Sequence, residues 1–516
     1  MNSKRNHIGF QKQEFYKNSF FLLLIIGITS LIFRLYFLPL DVPFLSDAFL
    51  YFSYAHDLNI TNQFPNGYNF TNNGWPTLIG IIFNFFPTTD LIQLMNAQRI
   101  ISVIISTLTI IPAYYLCKRF FSNNLALIGV CIFIFEPRII INSLLGITDP
   151  LYIFLIASSL ALFFSKNKNY LYLSFACIAF SILVRYEGII WFGILSVLFF
   201  IHYKSKFNYR VILKYFLIIG ISFLIIFPML HIRTETMGSD QISSVIQGSF
   251  EDIDVRTSGE NQISSFFGVL GNGILNLLKY LGWIMIPYLL IFMPLGTIFS
   301  LKSKDPNTKF LIFSVIVVLS TSVLYAYFRG IQDTRYFYPL YPIFVVLGLY
   351  FIKEIFEKVK NKKIITTLIL LGILASSIVF LEIKSIDIEH EKESIAIFED
   401  VYSITKTINK FNHESGYIHS IPILKMNEPI VLAYNKEIVK TIPYDDSLNL
   451  KEFIILNQDY GLKHIVVDDK KDRPEFFKKL IEDDTSFSYL EKIYDSKNFG
   501  FKYHVKVFKI NFEKLS

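Results

Sequence analysis

Asp47 follows the first long apolar run, residues 20–40, by only a few positions, in the string PLDVPFLSDAFLYFSYAHDL. A carboxylate at a membrane boundary can accept the proton of a hydroxyl nucleophile. An aspartate that opens a helix can equally be a cap. His56 and Asp57 follow on the same element, either as a solvated face or as ligand contacts. Asp149 opens a later apolar run, again as a cap or as a functional acid, after FEPRIIINSLLGIT, in which Glu136 and Arg138 are placed to pair. LVRYEG sets Arg185 and Glu187 between two closely spaced apolar runs. There the arginine either pairs with Glu187 or faces a polar cavity. FRGIQDTRYFYPLYP brings Arg329, Asp333 and Arg335 together, with Tyr336, Tyr338 and Tyr341 as an interfacial aromatic belt. Guanidinium groups near headgroup level suit bidentate capture of phosphate. Gly74, Trp75 and Pro76 read as a turn with an interfacial tryptophan.

The elements that must hold these residues are membrane helices. Of 516 residues, 53% are hydrophobic and only 18% charged, and the charges lie between long apolar runs. A charge at the bilayer centre is costly, so this layout implies a polytopic α-helical membrane protein. A bilayer core needs about 20 helical residues. That length marks about eleven spans, near 20–40, 92–117, 125–145, 149–165, 170–185, 188–203, 212–232, 274–300, 309–328, 336–352 and 363–382. The stretch 76–87 is too short to cross and reads as interfacial or re-entrant. The net charge of +7 does not imply nucleic-acid binding, because the basic residues fall in short loops on one side. With residues 1–19 in the cytoplasm, Lys118 and Arg119, Lys166 and Lys168, Lys204, Lys206 and Arg210, Lys302, Lys304 and Lys309, and Lys353 to Lys363 all lie inside. The loops 41–75 and 233–273 and everything after 383 then lie outside. The sequons at Asn59 and Asn69 agree with that side. Cys117, Cys131 and Cys177 sit in apolar runs without ligand spacing, which points to packing rather than a metal.

The membrane domain, 20–382, is followed by a soluble segment, 383–516, whose pattern changes. A helix is expected over 391–411, short strands at GYIHSI and EPIVLAY, a helix in NLKEFIILNQDYG, a strand in LKHIVVDD, a helix in PEFFKKLIEDD and a closing strand in YHVKVFKIN. Alternating types suggest a small extracytoplasmic α/β domain. It carries no glycine-rich phosphate loop, serine elbow or Cys/His cluster, and so reads as accessory.

An aspartate just past the first span, a helix after it and a GWP turn together resemble the first luminal loop of the GT-C superfamily of membrane glycosyltransferases. TDPLY, LVRYEG and DTRYFYPLYP are similar to later elements of that superfamily. The resemblance runs in order over about 20–350 and is strongest to the protein mannosyltransferase and aminoarabinose-transferase branch. It implies an inverting transferase in the plasma membrane. The sugar would move from a polyprenyl-phosphate donor to a hydroxyl on a lipid, glycan or protein of the cell envelope. By resemblance Asp47 is the catalytic base and Arg335 holds the lipid phosphate. Tyr336, Arg185, Glu187, Asp149, His56 and Asp57 would serve donor or substrate binding. Protein mannosyltransferases carry an acidic pair where this chain has Asp47 followed by Ala48, so no metal or other cofactor is expected. The signature W-W-D-Y-G is absent, which excludes the oligosaccharyltransferase branch. Two other classes fit the composition: a transporter or flippase for a lipid-linked substrate, and a non-catalytic assembly protein working through 383–516.

Overall fold

The computed structural model describes residues 2–40, 44, 46–65, 68, 73–88, 90–203, 208–237, 262–329, 334–385, 449–458, 464–468, 475–482, 487–499 and 504–515. The expected helix 391–411, the strands at GYIHSI and EPIVLAY, Asp333 and Asn69 lie outside these residues. Two compact units are formed. One holds 1–40, 64–79 and 93–384; the other holds 41–63, 80–92 and 385–516.

The first unit is helical. Its helices are α1 (Asn2–Tyr36), α3 (Gly74–Phe83, whose first turns belong here), α4 (Leu91–Leu108), α5 (Ile110–Phe120), α6 (Asn123–Ile134), α7 (Pro137–Leu144), α8 (Asp149–Phe163), α9 (Tyr170–Val184), α10 (Gly188–Tyr203), α11 (Tyr209–Met237), α12 (Gln262–Met285), α13 (Leu289–Leu301), α14 (Pro306–Arg329), α15 (Tyr341–Lys358) and α16 (Lys362–Ser385). Among the described residues, five helical stretches are long and apolar enough to cross a membrane, or seven if each of two bent pairs counts as one span. The expected count of about eleven is higher because α8, α9, α10 and part of α14 are apolar but short of a full crossing.

The bent pairs show how a membrane helix can break without leaving backbone groups unsatisfied. The α6 and α7 axes differ by 50°. The break falls at Glu136–Pro137, where proline removes a backbone donor and ends the ladder. The carbonyls freed at the end of α6 are taken by side chains from elsewhere in the unit. The Tyr288 hydroxyl donates to the Ile132 oxygen at 2.8 Å, the Arg34 guanidinium to Ile134 at 3.0 Å and the Ser377 hydroxyl to Phe135 at 2.5 Å. In lipid such groups must be satisfied within the protein. Arg138 forms no salt bridge with Glu136; its guanidinium lies 5.0 Å from both the Trp283 and the Phe380 rings. Aromatic ring faces stabilise a cation where water is scarce. The second pair, ending at Met285 and resuming at Leu289, is bent by 110°. Tyr341 donates to the Ile284 carbonyl there at 2.7 Å. Tyr338 and Tyr341 are therefore buried and do not join an interfacial belt. Beyond the bend, α13 lies so close to α15 that a Cβ at Gly296 would run into the Leu347 carbonyl. Only glycine fits that crossing.

The second unit contains α2 (Ser46–Thr61). Its core face presents Phe52, whose ring packs edge-on to Phe83 at 5.9 Å and tilted to Phe44 at 6.0 Å. The described tail begins with α17 (Leu450–Asn457), which ends earlier than the expected Gly461. Asn449 accepts from the Glu452 amide, and Glu452 reaches back to the Asn449 amide, closing a capping box. Then follow β1 (His464–Asp468), α18 (Glu475–Glu482), β2 (Leu490–Asp495) and β3 (Val505–Ile510). The strands form one antiparallel sheet in the order β1-β3-β2. Leu450, Phe453, Ile454, Ile465, Leu480 and Phe508 are buried in its core. β2 was not expected: a bulge between Lys492 and Tyr494 breaks the alternation that would have announced it.

Candidate functional site

Asp149 is the first residue of α8, and Arg185 immediately follows α9. Those two helices pack side by side, which brings the acid and the guanidinium together. Arg185 Nη1 lies 2.7 Å from Asp149 Oδ1, and Nη2 lies 2.8 Å from Glu187 Oε1. Nε donates to Glu187 Oε2 at 3.4 Å. Asp149 is 1% exposed and Arg185 7%. Charges so far from water persist only when paired. Arg185 thus pairs with Asp149 and Glu187, and it also lines a cavity.

The walls of that cavity include Tyr152, Arg185, Glu187, Trp191, Arg335 and Tyr336. Arg335 and Tyr336 come from a turn of 3₁₀ helix, Thr334–Leu340, that leads into α15. The Tyr336 ring sits 5.5 Å from the Arg185 guanidinium carbon and the Tyr152 ring 6.0 Å from it. Two guanidiniums and, through Arg185, two carboxylates therefore meet at one pocket with aromatic walls. Asn142 Nδ2 approaches Asp149 Oδ2 at 3.5 Å. Sequence reasoning missed Asn142, Tyr152 and Trp191, because single polar or aromatic residues within apolar runs look like packing. Trp191 is 1% exposed, and nothing in GIIWFGIL distinguishes it from a lipid-facing residue.

A second miss concerns Trp75. It is not an interfacial anchor but is fully buried, and its indole donates to the Gly146 carbonyl at 3.0 Å. Gln98 donates to the same oxygen at 2.7 Å. This grip holds the loop that delivers Asp149. The preceding residue, Gly74, lies against the Leu183 and Val184 backbone, where a Cβ would sit 2.5 Å from the Leu183 oxygen. That contact braces the strand of chain that delivers Arg185. One residue earlier, Asn73 Oδ1 accepts from Arg233 Nε at 2.8 Å. Three consecutive residues thus tie three parts of the unit. Gly74→Ala should force that backbone away and cost about 1–3 kcal/mol as overpacking. The check is a lower unfolding midpoint of the purified variant in detergent; an unchanged midpoint would count against the brace.

Asp47, His56 and Asp57 belong to the other unit. Asp47 lies in the first turn of α2 and is half-buried. His56 and Asp57 are buried, at 6% and 4% exposure, and not a solvated face. The Phe52 ring stacks on His56 at 5.8 Å. Burial pushes the imidazole down to about 4, so it is neutral at ordinary pH. Any contact His56 makes with a ligand is then that of a hydrogen-bonding group, not of a cation.

A family model described as "Predicted membrane protein (DUF2079)" matches residues 78–500. No curated protein matches by sequence. Among solved structures, the oligosaccharyltransferase of Archaeoglobus fulgidus with Zn and sulfate is similar, with a TM-score of 0.57 at 14% identity, over 87% of this chain and 68% of that one. ArnT from Cupriavidus metallidurans in the apo state gives 0.56 at 12% identity, over 98% of this chain and 99% of that one. The same protein bound to undecaprenyl phosphate gives 0.55 at 12%, over 94% and 97%. These likenesses establish the GT-C fold expected from the sequence.

Proposed function

From the premise that the chain belongs to the DUF2079 family of membrane proteins and has a GT-C fold, we propose that it is an inverting glycosyltransferase using a polyprenyl-phosphate sugar. The observation that supports this most is the shared cavity: Arg335, Tyr336, Arg185 and Glu187, expected from distant strings of sequence, line one pocket. The likeness to ArnT, seen with undecaprenyl phosphate over nearly the full length of both chains, agrees with a lipid-phosphate ligand.

In the proposed reaction an acceptor hydroxyl attacks the anomeric carbon of the donor. The bond from that carbon to the phosphate oxygen breaks, and the phosphate leaves with the bonding electrons. The hydroxyl proton passes to the Asp47 carboxylate. The Arg335 guanidinium stabilises the departing phosphate. Inversion follows from the single displacement. Arg185 is kept by its two carboxylates and organises the pocket. Asp47 has no second acid beside it, and the mechanism uses no metal. In this reading the N-terminus is cytoplasmic, and 383–516 lies on the outer side with the acceptor, which is a lipid, glycan or protein of the envelope.

A transporter is the competing class, and broken helices are a transporter feature. Here the carbonyls freed at the α6–α7 break are taken up by Tyr288, Arg34 and Ser377 and not left to hold an ion. The two classes separate in one experiment. Purified protein is incubated with polyprenyl-phosphate monosaccharides and envelope acceptors, and free polyprenyl phosphate is followed. Release dependent on acceptor is the expected result. Movement of intact donor across vesicles, with no release from any member of the panel, would defeat the proposal.

A further inference from the structure

Arg138 is the cation that the proposed reaction leaves unused. It lies near the start of α7, within the apolar run 125–145, and is 7% exposed. Among the described residues its guanidinium meets no carboxylate within ion-pair distance, and its Nε forms no hydrogen bond. Glu136, two residues earlier, is fully buried and forms no ion pair with it. The Trp283 and Phe380 rings, each 5.0 Å away, attract the charge but offer no acceptor oxygen to the N–H groups of the fork. A guanidinium so far from water calls for an anion. Its two terminal nitrogens are neither sealed nor taken up by any described residue, so they stay open to the surface of the unit.

The surroundings say what that surface meets. Three separate apolar runs bring Arg138, Trp283 and Phe380 together, and each residue lies towards the end away from the basic loops. Arg138 is in the second half of 125–145, which follows Lys118 and Arg119. Trp283 is in the first half of 274–300, ahead of Lys302, and Phe380 is in the last turn of 363–382, which begins at Lys362 and Lys363. In the orientation read from those loops, this is the outer side, near headgroup level. Trp283 is exposed, and so are Ile378 and Val379 on the helix of Phe380. Apolar surface suited to acyl chains therefore adjoins the guanidinium.

We propose that Arg138, beside the Trp283 and Phe380 rings, binds the headgroup phosphate of an anionic phospholipid of the surrounding membrane, whose acyl chains lie along the adjoining apolar surface. The planar fork matches phosphate oxygens, and basic pockets between membrane helices are suited to such headgroups. Arg138 does not line the pocket that holds Arg335, and the proposal does not depend on the glycosyltransferase reading.

The test reads Trp283 itself. The full chain is reconstituted in phosphatidylcholine vesicles, into which either phosphatidylglycerol or phosphatidylcholine with brominated acyl chains is titrated. Bromine quenches nearby tryptophan. Trp75 and Trp191 are buried, so the quenching reports on Trp283. In the parent, half-maximal quenching should come at about a tenfold lower fraction of phosphatidylglycerol than of phosphatidylcholine, as expected for one charge-assisted contact. Arg138→Gln should erase that difference while both lipids still quench. Equal quenching by the two lipids in the parent would overturn the proposal, whether or not the variant folds. A preference that survives in Arg138→Gln would overturn it as well, since Arg138 would then only balance Glu136 or serve the fold. So would relief of the quenching by a small fraction of undecaprenyl phosphate, because the site would then belong to the isoprenoid lipid.

Discussion

Asp47→Asn should lower sugar transfer by roughly 10²–10⁴-fold, the range for losing a positioned general base, while leaving the protein folded. The substitution separates the two roles an acid can have in the first turn of α2. Asparagine caps a helix about as well as aspartate, and the lost attraction to the helix dipole is worth at most about 1 kcal/mol. It cannot take a proton from an attacking hydroxyl. A pure capping role therefore predicts a small change in stability with full turnover. A base predicts collapsed turnover at nearly constant stability and unchanged affinity for undecaprenyl phosphate. Measured turnover within a few-fold of the parent would remove Asp47 from the mechanism. An assembly protein working through 383–516 would be indifferent to Asp47→Asn and would fail on deletion of that segment.

The largest effect on stability is expected at Arg185. Arg185→Gln leaves Asp149 and Glu187 facing each other's charge with their cation gone, and Asp149 is 1% exposed. Breaking a buried ion pair from one side costs about 3–5 kcal/mol, because a desolvated charge stays behind. The double variant Arg185→Gln with Asp149→Asn should recover part of that loss, since the second change removes one of the stranded charges. Denaturant unfolding in detergent measures both. Additive losses would show that the two side chains are energetically independent despite their 2.7 Å contact.

Much of this arrangement was written in residue types whose presence in a membrane protein needs explaining. Arg185, Glu187, Asp149 and Arg335 stood out because a charge near lipid is expensive, and all four lie at or around one pocket. Tyr152 and Trp191 did not stand out, because an aromatic residue within an apolar run costs nothing wherever it points. Which face of α8 or α10 turns inward is decided by neighbouring helices and not by the runs DPLYIFLIA or GIIWFGILS themselves. Trp75 misled for a related reason: its ring suits the headgroup region and a buried hydrogen bond equally well. The break at Glu136–Pro137 was not read from the sequence, where 125–145 was expected as one span, although an X-Pro step lies inside it. What was not legible is that Arg34, Tyr288 and Ser377, from positions far apart in the chain, would satisfy the carbonyls it frees. In the tail, the strands β1 and β3 were expected from their apolar, β-branched residues, whereas β2, with its irregularity at Lys492–Tyr494, was not.

The contacts of Asn73, Gly74 and Trp75 imply something about how such a protein can diverge. Each residue meets a different neighbour: the Arg233 side chain, the Leu183–Val184 backbone and the Gly146 carbonyl. Adding or removing one residue inside the triplet would put every later contact out of register, whereas a change in length ahead of it need disturb none of them. The tripeptide is the keystone on which pocket-forming segments lean, and its length is what those contacts fix.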